Sequence, residues 1–581
     1  MAATNADVAR VLNELVVLAT LDEGSPQAFR VRAYENAAQA VSDYTGDITQ
    51  LDTKELTKLK GVGGSTAAKI REYVDTGTFS KLEELRKKYP PELVEMTRIP
   101  GLGPKTITML RDRLGVENLD QLNKAVAAQA VRELPGMGAK SEEKIGKAIS
   151  RLGLHGKDRR TPIAQALPLA RSIVAQLEEV PKVAAVQYCG SLRRFSETIG
   201  DVDILVSSTD AAAVMDRFVS MAAVDEVLAH GDTKSAVMAG GIQVDLRVVT
   251  PAEFGAAILY FTGSKAHNIA LRQLALGKGW TLNEYALSEI ETGKVVAAKT
   301  EASIYRKLGM AFVPPEMRED SGEIEAALAK RLPKPVELDD IKGDLHIHTN
   351  LSGDGRTSLD KMLAAAAARS LEYIAITDHG ENLTINGVSR DKMLRQRKRL
   401  ETLAARFPDM SLLHGSELNI APDGSLDYDD KFLAGFDWCV ASVHSSFDLE
   451  RGVQTARVVA AIRHPAVSVI GHLTGRMIGR RPGIELDFDA VLNAAAETGT
   501  AIEINGALDR LDAPSHVIRQ GAEMGVTFVI STDAHHPREF SRAHWGVANA
   551  RRGWLPATSV ANTWTRQRFF AWKEQVRSGK S

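Results

Sequence analysis

Seven short apolar runs recur after residue 340, and each ends on or beside a side chain that binds metal ions. They read DLHIH (344–348), YIAITDH (373–379), SLLHGSEL (411–418), WCVASVH (438–444), VSVIGH (467–472), AIEIN (501–505) and TFVISTDAH (527–535). Six carry His or Glu at or next to the last residue; AIEIN closes on Asn505 with Glu503 inside it. The stretches between them are long enough for helices. Alternating strand and helix is the pattern of a parallel sheet or barrel. Side chains at the C-terminal ends of barrel strands converge on one mouth, so residues far apart in sequence are expected to meet as a cluster of imidazoles and carboxylates.

Nine side chains are candidate ligands in that cluster: His346 and His348 on one strand face, Asp354 in the following loop, His379, Glu417, His444, His472, Asp533 and His535. A single histidine is more often a packing residue, but nine at successive strand ends form a pattern. Mixed imidazole and carboxylate ligands suit Mn²⁺, Zn²⁺ or Fe²⁺. His414, His464, His516, His536 and His544 fall outside the pattern and read as surface or packing residues.

At 581 residues the chain exceeds what one core supports, so three to four domains are expected. Eleven of the 14 histidines follow residue 340, so the two halves carry different chemistry. A net charge of −2 gives no global attraction to nucleic acid, and any such binding needs local patches. Cys189 and Cys439 sit far apart inside apolar runs and read as buried thiols of a reducing compartment. No run approaches the length of a membrane span or a leader peptide, so a cytoplasmic protein with no membrane partner is expected.

Three internal echoes mark the first 150 residues: LKGVGGSTAAKI (59–70), IPGLGPKTITML (99–110) and LPGMGAKSEEKI (134–145). Each has a Gly-x-Gly turn before a helix that carries basic residues: Gly61 and Gly63, Gly101 and Gly103, Gly136 and Gly138. Glycines leave the backbone uncovered, and the bare N–H groups of a helix N-terminus are a seat for phosphate. One copy is as readily a plain helix-to-helix turn. Three copies, spaced 40 and 35 residues apart, point to helix-hairpin-helix binding of DNA without sequence preference.

Residues 189–206, CGSLRRFSETIGDVDILV, hold a Gly-Ser turn, paired arginines and Asp201-x-Asp203 on a strand, where alternation places both acids on one face. Asp245 opens DLRVV on another strand. Three carboxylates on adjacent strands suit two divalent ions about 4 Å apart, the arrangement for in-line phosphoryl transfer. Mg²⁺, held by a few carboxylates and substrate phosphates, fits such a site.

With YFTGSKAHN (260–268) added, these motifs resemble the palm and thumb of family X DNA polymerases, over roughly residues 10–312. The resemblance implies Mg²⁺ or Mn²⁺ held by Asp201 and Asp203, with Asp245 taking the primer 3′-hydroxyl proton or binding the catalytic metal. It implies that Ser191, Arg194 and Gly200 hold the triphosphate, and that Tyr260, Phe261 and Gly263 line the sugar. Asn268 then meets the base edge, Arg272 the template side, and Arg247 stands behind the acids. FRVRAYENAA (29–38) and GVGGSTAAKI (61–70) are similar to that family's gap-end domain. Lys69 matches by position its Schiff-base lysine, which removes a 5′ sugar phosphate. Ser65 stands where the family often has a phosphate-binding lysine, and a phosphate contact is the competing role for Lys69.

Residues 343–575 resemble the polymerase-and-histidinol-phosphatase (PHP) domain, a distorted barrel of seven βα units with three metals. The resemblance assigns His346, His348, Glu417 and Asp533 to one Mn²⁺ or Zn²⁺ ion, Asp354, His379 and His535 to a second, and Glu417, His444 and His472 to a third. One glycine is inserted here, Ser352-Gly353-Asp354-Gly355, at the Asp354 ligand. The expected fold is therefore multidomain: a helical gap-end domain (1–85), a fingers-like helical region (86–158), an α+β nucleotidyltransferase palm (159–250), a thumb (251–318), a linker (319–342) and a (β/α)7 metal-dependent nuclease (343–581). The tandem is similar to the bacterial and archaeal type of family X polymerase. It implies a monomeric, nucleoid-associated repair enzyme acting on gapped or nicked DNA, primer-template and dNTPs, with a 3′–5′ exonuclease and activity on abasic sites and 3′-phosphates. Two rival readings are a phosphoesterase for small phosphorylated molecules and a non-catalytic DNA-end scaffold.

Overall fold

The structure is a computed structural model describing residues 5–579, apart from 26–27, 45–47, 91–92, 95, 100–101, 153–159 and 384–385. The chain divides into two compact units, Met1–Arg160 with Gly479–Pro482, and Thr161–Ile478 with Gly483–Ser581. No described helix is long and apolar enough to cross a membrane.

The first unit is helical among its described residues, with helices that include Asn5–Glu23, Phe29–Asp43, Gly64–Thr76, Pro104–Leu114 and Ala139–Leu152. Val8, Val11, Leu12, Leu15, Leu18 and Ala19 recur at three- and four-residue spacing and are buried against Ala37, Ile70, Leu82, Ile107 and Leu122.

The second unit opens on the pair β1 (Thr161–Pro162) and β3 (Thr198–Ile199). Beside them lies a five-stranded sheet of β2 (Val183–Tyr188), β4 (Val202–Ser208), β5 (Glu226–His230), β6 (Lys234–Ala239) and β7 (Ile242–Val249), in the order β2-β4-β7-β6-β5. Only β4 and β7 pair in parallel. Val202, Ile204, Val206, Val244, Leu246 and Val248 share one core with the helices Ile163–Glu178 and Ala211–Val219. Alternation therefore sends Asp203 and Asp245 to the opposite face, where Leu205 and Val249 pack with Ala257 and Ile258 of the helix Phe254–Thr262.

A small antiparallel sheet follows, of β8 (Trp280–Leu282), β9 (Leu287–Glu289) and β10 (Val295–Ala297), packed with the helices Phe254–Thr262, Lys265–Leu276 and Glu301–Leu308. The charged, proline-rich segment after residue 310 is ordered. Met317, Ile324 and Ala327 are buried in the same core, and Arg318 is fully buried where it pairs with Glu301.

The last strands are β11 (Gly343–Asp344), β12 (Tyr373–Ile376), β13 (Ser411–Asn419), β14 (Trp438–Ser442), β15 (Val469–Ile470), β16 (Ala501–Asn505) and β17 (Phe528–Ser531). All pair in parallel and in sequence order. A bridge between Ile347 and Ala534, with His348 N donating to Ala534 O at 2.8 Å, brings the first and last runs together. The result is a nearly closed seven-stranded barrel. Tyr373, Leu413, Trp438, Val440, Val469, Ala501 and Val529 form an apolar cluster, plugged by Trp564, Phe569 and Trp572 from the end of the chain. Even offsets from these residues stay on the same strand face. Leu413 leads to Glu417, Val440 to His444, Ala501 to Glu503 and Val529 to Asp533, so the layer above the plug is polar.

The two halves of this unit share core. Leu511 of the barrel is fully buried in the palm cluster, with Ile478, Leu508, Trp545 and Ala548 packed against it.

Candidate metal centres

All nine barrel ligands meet at the C-terminal ends of the strands. Glu417, nearly fully buried, is the hub. Its Oε2 lies 3.4 Å from His346 Nε2, 3.4 Å from His348 Nε2 and 3.0 Å from His379 Nδ1; its Oε1 lies 3.1 Å from His444 Nε2 and 2.9 Å from His472 Nε2. Asp533 Oδ1 is 3.3 Å from His348 Nε2 and 3.7 Å from His346 Nε2. Asp354, the ligand beside the inserted glycine, reaches the cluster: its Oδ2 is 3.0 Å from His379 Nε2 and 3.5 Å from His535 Nε2.

Three overlapping groups have ligand atoms within 4.8 Å of one another: His348, Asp354, His379 and His535; His346, His348 and Asp533; and His379, Glu417 and His444. His348 and His379 each fall in two of these groups, so the groups form one continuous cluster. The buried Nε2 atoms of His346 and His348 have no hydrogen-bond partner despite the nearby carboxylates. Buried nitrogens and carboxylates aimed at common points fit divalent cations.

The electrostatics agree. Burial pushes the Glu417 carboxyl up, but His444, His346 and His379 override it and hold the group well below the usual carboxylate range. Asp533 is likewise held down against burial by His346, His348 and His535. Burial and then the neighbouring His535 and His379 rings lower His348 to about 4, so it is neutral and free to ligate.

In the palm, Asp203 and Asp245 are direct partners in the β4–β7 register, and Asp201 immediately precedes β4. Burial raises Asp203 first, and the Asp201 and Asp245 carboxylates raise it further, to about 7. Three carboxylates crowded in this way suit a divalent cation, whose charge would let them ionise together. Gly190, at φ +59°, opens the helix Gly190–Arg193 that carries Ser191, and a Cβ there would lie 2.5 Å from Asp203 Oδ2. Only glycine allows both that turn and that approach.

Arg194 caps this short helix; its Nη1 donates to Thr262 O at 2.7 Å and its Nε to Glu319 at 3.1 Å. Gly200 and Asp201 are exposed beside it. Thr262 ends the helix holding Tyr260 and Phe261, and Gly263 follows. Asn268 Nδ2 donates to Tyr260 O at 2.7 Å, and the Arg272 guanidinium lies 5.3 Å from the Tyr260 ring centroid. Tyr260, Asn268 and Arg272 share a pocket with Ala256, Leu259, Leu282 and Asn283. Arg247, expected behind the acids, instead donates to Tyr285 Oη at 3.3 Å and lies over Phe261.

In the helical unit, Gly63 and Gly103 are the N-caps of Gly64–Thr76 and Pro104–Leu114, and Gly138 directly precedes Ala139–Leu152. A Cβ added at Gly63, Gly103, Gly136 or Gly138 would meet nothing within 4 Å, so the backbone is open. Gly61, at φ +103°, packs on the Asn36 backbone. Gly101 lies outside the described residues. Lys69 donates to Ser65 Oγ at 2.8 Å; burial lowers its pKa.

Family models match in chain order: a helix-hairpin-helix domain at 3–79, a SAM-like helix-hairpin-helix tandem at 93–150, the DNA polymerase beta palm at 160–243, the DNA polymerase beta thumb at 257–319 and the PHP domain at 344–507. The DNA polymerase/3′-5′ exonuclease PolX of Bacillus subtilis is 37% identical over 560 residues, 96% of this chain and 97% of that one. The chain belongs to the PolX family. Partial relatives bracket its halves. DNA polymerase lambda of Rattus norvegicus is 25% identical over 55% of this chain and 57% of its own. A probable phosphatase of Thermoanaerobacter is 28% identical over 38% of this chain and 89% of its own. Polymerase and PHP domains together make this PolX member an enzyme dependent on divalent metal ions.

The structure adds residues around the PolX ligands that the sequence reading left unassigned. Glu503 bonds His346 Nδ1 at 2.6 Å and accepts the His472 backbone N–H at 2.5 Å, orienting two ligands at once. Asp378, beside His379, accepts from Thr349 Oγ1 at 2.6 Å, Ser352 Oγ at 2.7 Å and Gln396 Nε2 at 2.5 Å, fixing the loop that carries Asp354. Both acids stand inside or beside the apolar runs already singled out, which was their signal.

Proposed function

We propose that this PolX member repairs DNA by filling short gaps, and that its barrel trims the 3′ end first, releasing mononucleotides and acting also on abasic sites and 3′-phosphates. In the palm, Asp201, Asp203 and Asp245 would hold Mg²⁺ or Mn²⁺. Arg194, Ser191 and Gly200 would bind the triphosphate, Tyr260, Phe261 and Gly263 the sugar, Asn268 the base edge and Arg272 the template side. Asp245, the β7 partner of Asp203, would accept the primer 3′-hydroxyl proton or bind the catalytic metal. The barrel's nine ligands would hold up to three Mn²⁺ or Zn²⁺ ions. Such ions, when bound, activate water and neutralise charge that develops at phosphorus. The open glycine turns bind backbone phosphates on either side of a gap, and Lys69 serves there as a phosphate contact or as a 5′ sugar-phosphate lyase. The enzyme acts as a monomer at the bacterial nucleoid.

One observation carries the reading: two acid sets, each arranged for divalent cations, stand in one compact unit, and the other unit carries open glycine turns at helix starts. The test is a one-nucleotide gap with a 5′-phosphate against an open primer-template, each with a paired or mispaired 3′ end. Preferential filling of the gap, and mononucleotide release from the mispaired end before extension, is the expected result. The barrel's likeness to a probable phosphatase supplies the rival, a small-molecule phosphoesterase. That rival gains if a generic phosphoester is hydrolysed while labelled primer stays intact.

A further inference from the structure

The segment 194–201 runs from the arginine assigned to the triphosphate to the catalytic acids, and the barrel grips it at successive residues. Arg552 ends the barrel helix Ala543–Arg552; its Nη1 donates to the Arg194 carbonyl at 2.5 Å and lies 3.4 Å from Glu319 Oε1. That same oxygen accepts Arg194 Nε at 3.1 Å. Arg552 Nε is buried without a partner, so the guanidinium is held by the palm segment and Glu319. One residue on, the Phe195 ring stacks on Trp545 with centroids 5.9 Å apart and planes at 13°, and Arg171 lies over the Trp545 ring at 4.4 Å. Two residues further, Glu197 forms a two-pronged pair with Arg476, at 2.8 and 3.0 Å. Arg476 Nε also donates to Arg510 O at 2.8 Å. Phe195 sits at φ +57°, where a non-glycine residue stays only when its surroundings hold it.

We propose that Arg552 and Arg476 of the nuclease barrel are positioning residues for nucleotide addition: through the Arg194 carbonyl, the shared Glu319 and Glu197 they fix the loop that presents Arg194 to the triphosphate. The inference rests on the assignment of Arg194 to the nucleotide. A guanidinium that shares one carboxylate with Arg194 and anchors its carbonyl decides where Arg194 points when that carboxylate is contested. Without Arg552, Glu319 is left to Arg194 alone, which holds the side chain away from an incoming phosphate.

The test measures dNTP KM and kcat for single-nucleotide addition in the full-length Arg552→Ala variant, with Arg552→Lys, Glu197→Gln and Arg194→Ala beside it and 3′–5′ exonuclease activity measured in each. Charged hydrogen bonds of this type correspond to about ten-fold or more in binding. Arg552→Ala is expected to raise KM about ten-fold with kcat within about three-fold, and to leave the exonuclease rate unchanged. Arg552→Lys, a single-point donor, restores part of the KM, and Glu197→Gln raises it in the same direction. A purely structural role would lower Tm and the active fraction without moving KM. A KM within two-fold of the parent in Arg552→Ala and Glu197→Gln, while Arg194→Ala raises it, overturns the positioning role alone. An unchanged KM in Arg194→Ala overturns both the nucleotide assignment and the proposal. If Arg552→Ala does not fold, Glu197→Gln decides.

Discussion

Lowering the pH from 8 to 6 should weaken the palm's apparent affinity for Mg²⁺ about ten-fold. The cause is Asp203, which burial and the carboxylates of Asp201 and Asp245 raise to about 7. The metal binds the ionised form, so the apparent constant is divided by 1 + 10^(pKa − pH). That divisor is about 1.1 at pH 8 and about 11 at pH 6, a ratio of about ten, or ~1.4 kcal/mol. At pH 6 each binding event displaces about 0.9 proton by the same relation. The assay is a Mg²⁺ titration of single-nucleotide addition at pH 6, 7 and 8 in a His346→Ala, His348→Ala background, which keeps the primer intact. The midpoint of the titration is read, not the maximal rate, because ionisation of the 3′-hydroxyl also alters the rate. A midpoint that stays constant from pH 6 to 8, or tightens on acidification, refutes the crowding of the three acids.

The same crowding makes a stability prediction. Asp203 is raised above its ordinary 3.8, so the folded, metal-free protein binds this proton more tightly than the unfolded chain. Its contribution is lost as pH rises from about 4 to about 7, with a ceiling of ~4 kcal/mol. Asp203→Asn should therefore raise the Tm of chelator-treated protein at pH 8 and not at pH 4; a lower Tm at pH 8 would contradict this. Gly190→Ala, whose Cβ would press on Asp203 Oδ2, should cut nucleotide addition about 100-fold or more while sparing the exonuclease, and full extension activity would show that the turn is not tight. Glu503→Gln should weaken barrel metal affinity about 10- to 100-fold, measured as metal retained after dialysis, and unchanged retention would remove Glu503 from the site.

Much of this was legible in the sequence because strand period and ligand chemistry coincide. Leu413 and Glu417, or Val440 and His444, share a strand face because their spacing is even, so apolar runs ending in ligands announce both barrel and mouth. The Gly-x-Gly turns likewise mark helix starts, since a helix must present bare N–H groups there. Three features were not legible. The placing of His348 and His379 within two overlapping ligand groups each depends on where the barrel brings Asp354, Glu417 and Asp533 together. The turn of Arg247 toward Tyr285 depends on the thumb sheet, which has no local link to β7. The burial of Arg318 and Ile324 reverses what a charged, proline-rich stretch suggests, because Glu301 neutralises the guanidinium and the thumb core takes the apolar residues. Side chains that meet across a fold leave no trace in local spacing.

The central claim is that one polypeptide carries two independent metal-dependent centres for DNA phosphodiester chemistry. It is tested most directly by following one labelled primer-template, with dNTPs and Mn²⁺, with an Asp201→Asn, Asp203→Asn variant and a His346→Ala, His348→Ala variant of equal Tm. The account predicts that the first shortens the primer and never extends it, while the second extends it and never shortens it. Loss of both activities in either folded variant would contradict the assignment of two separate sites.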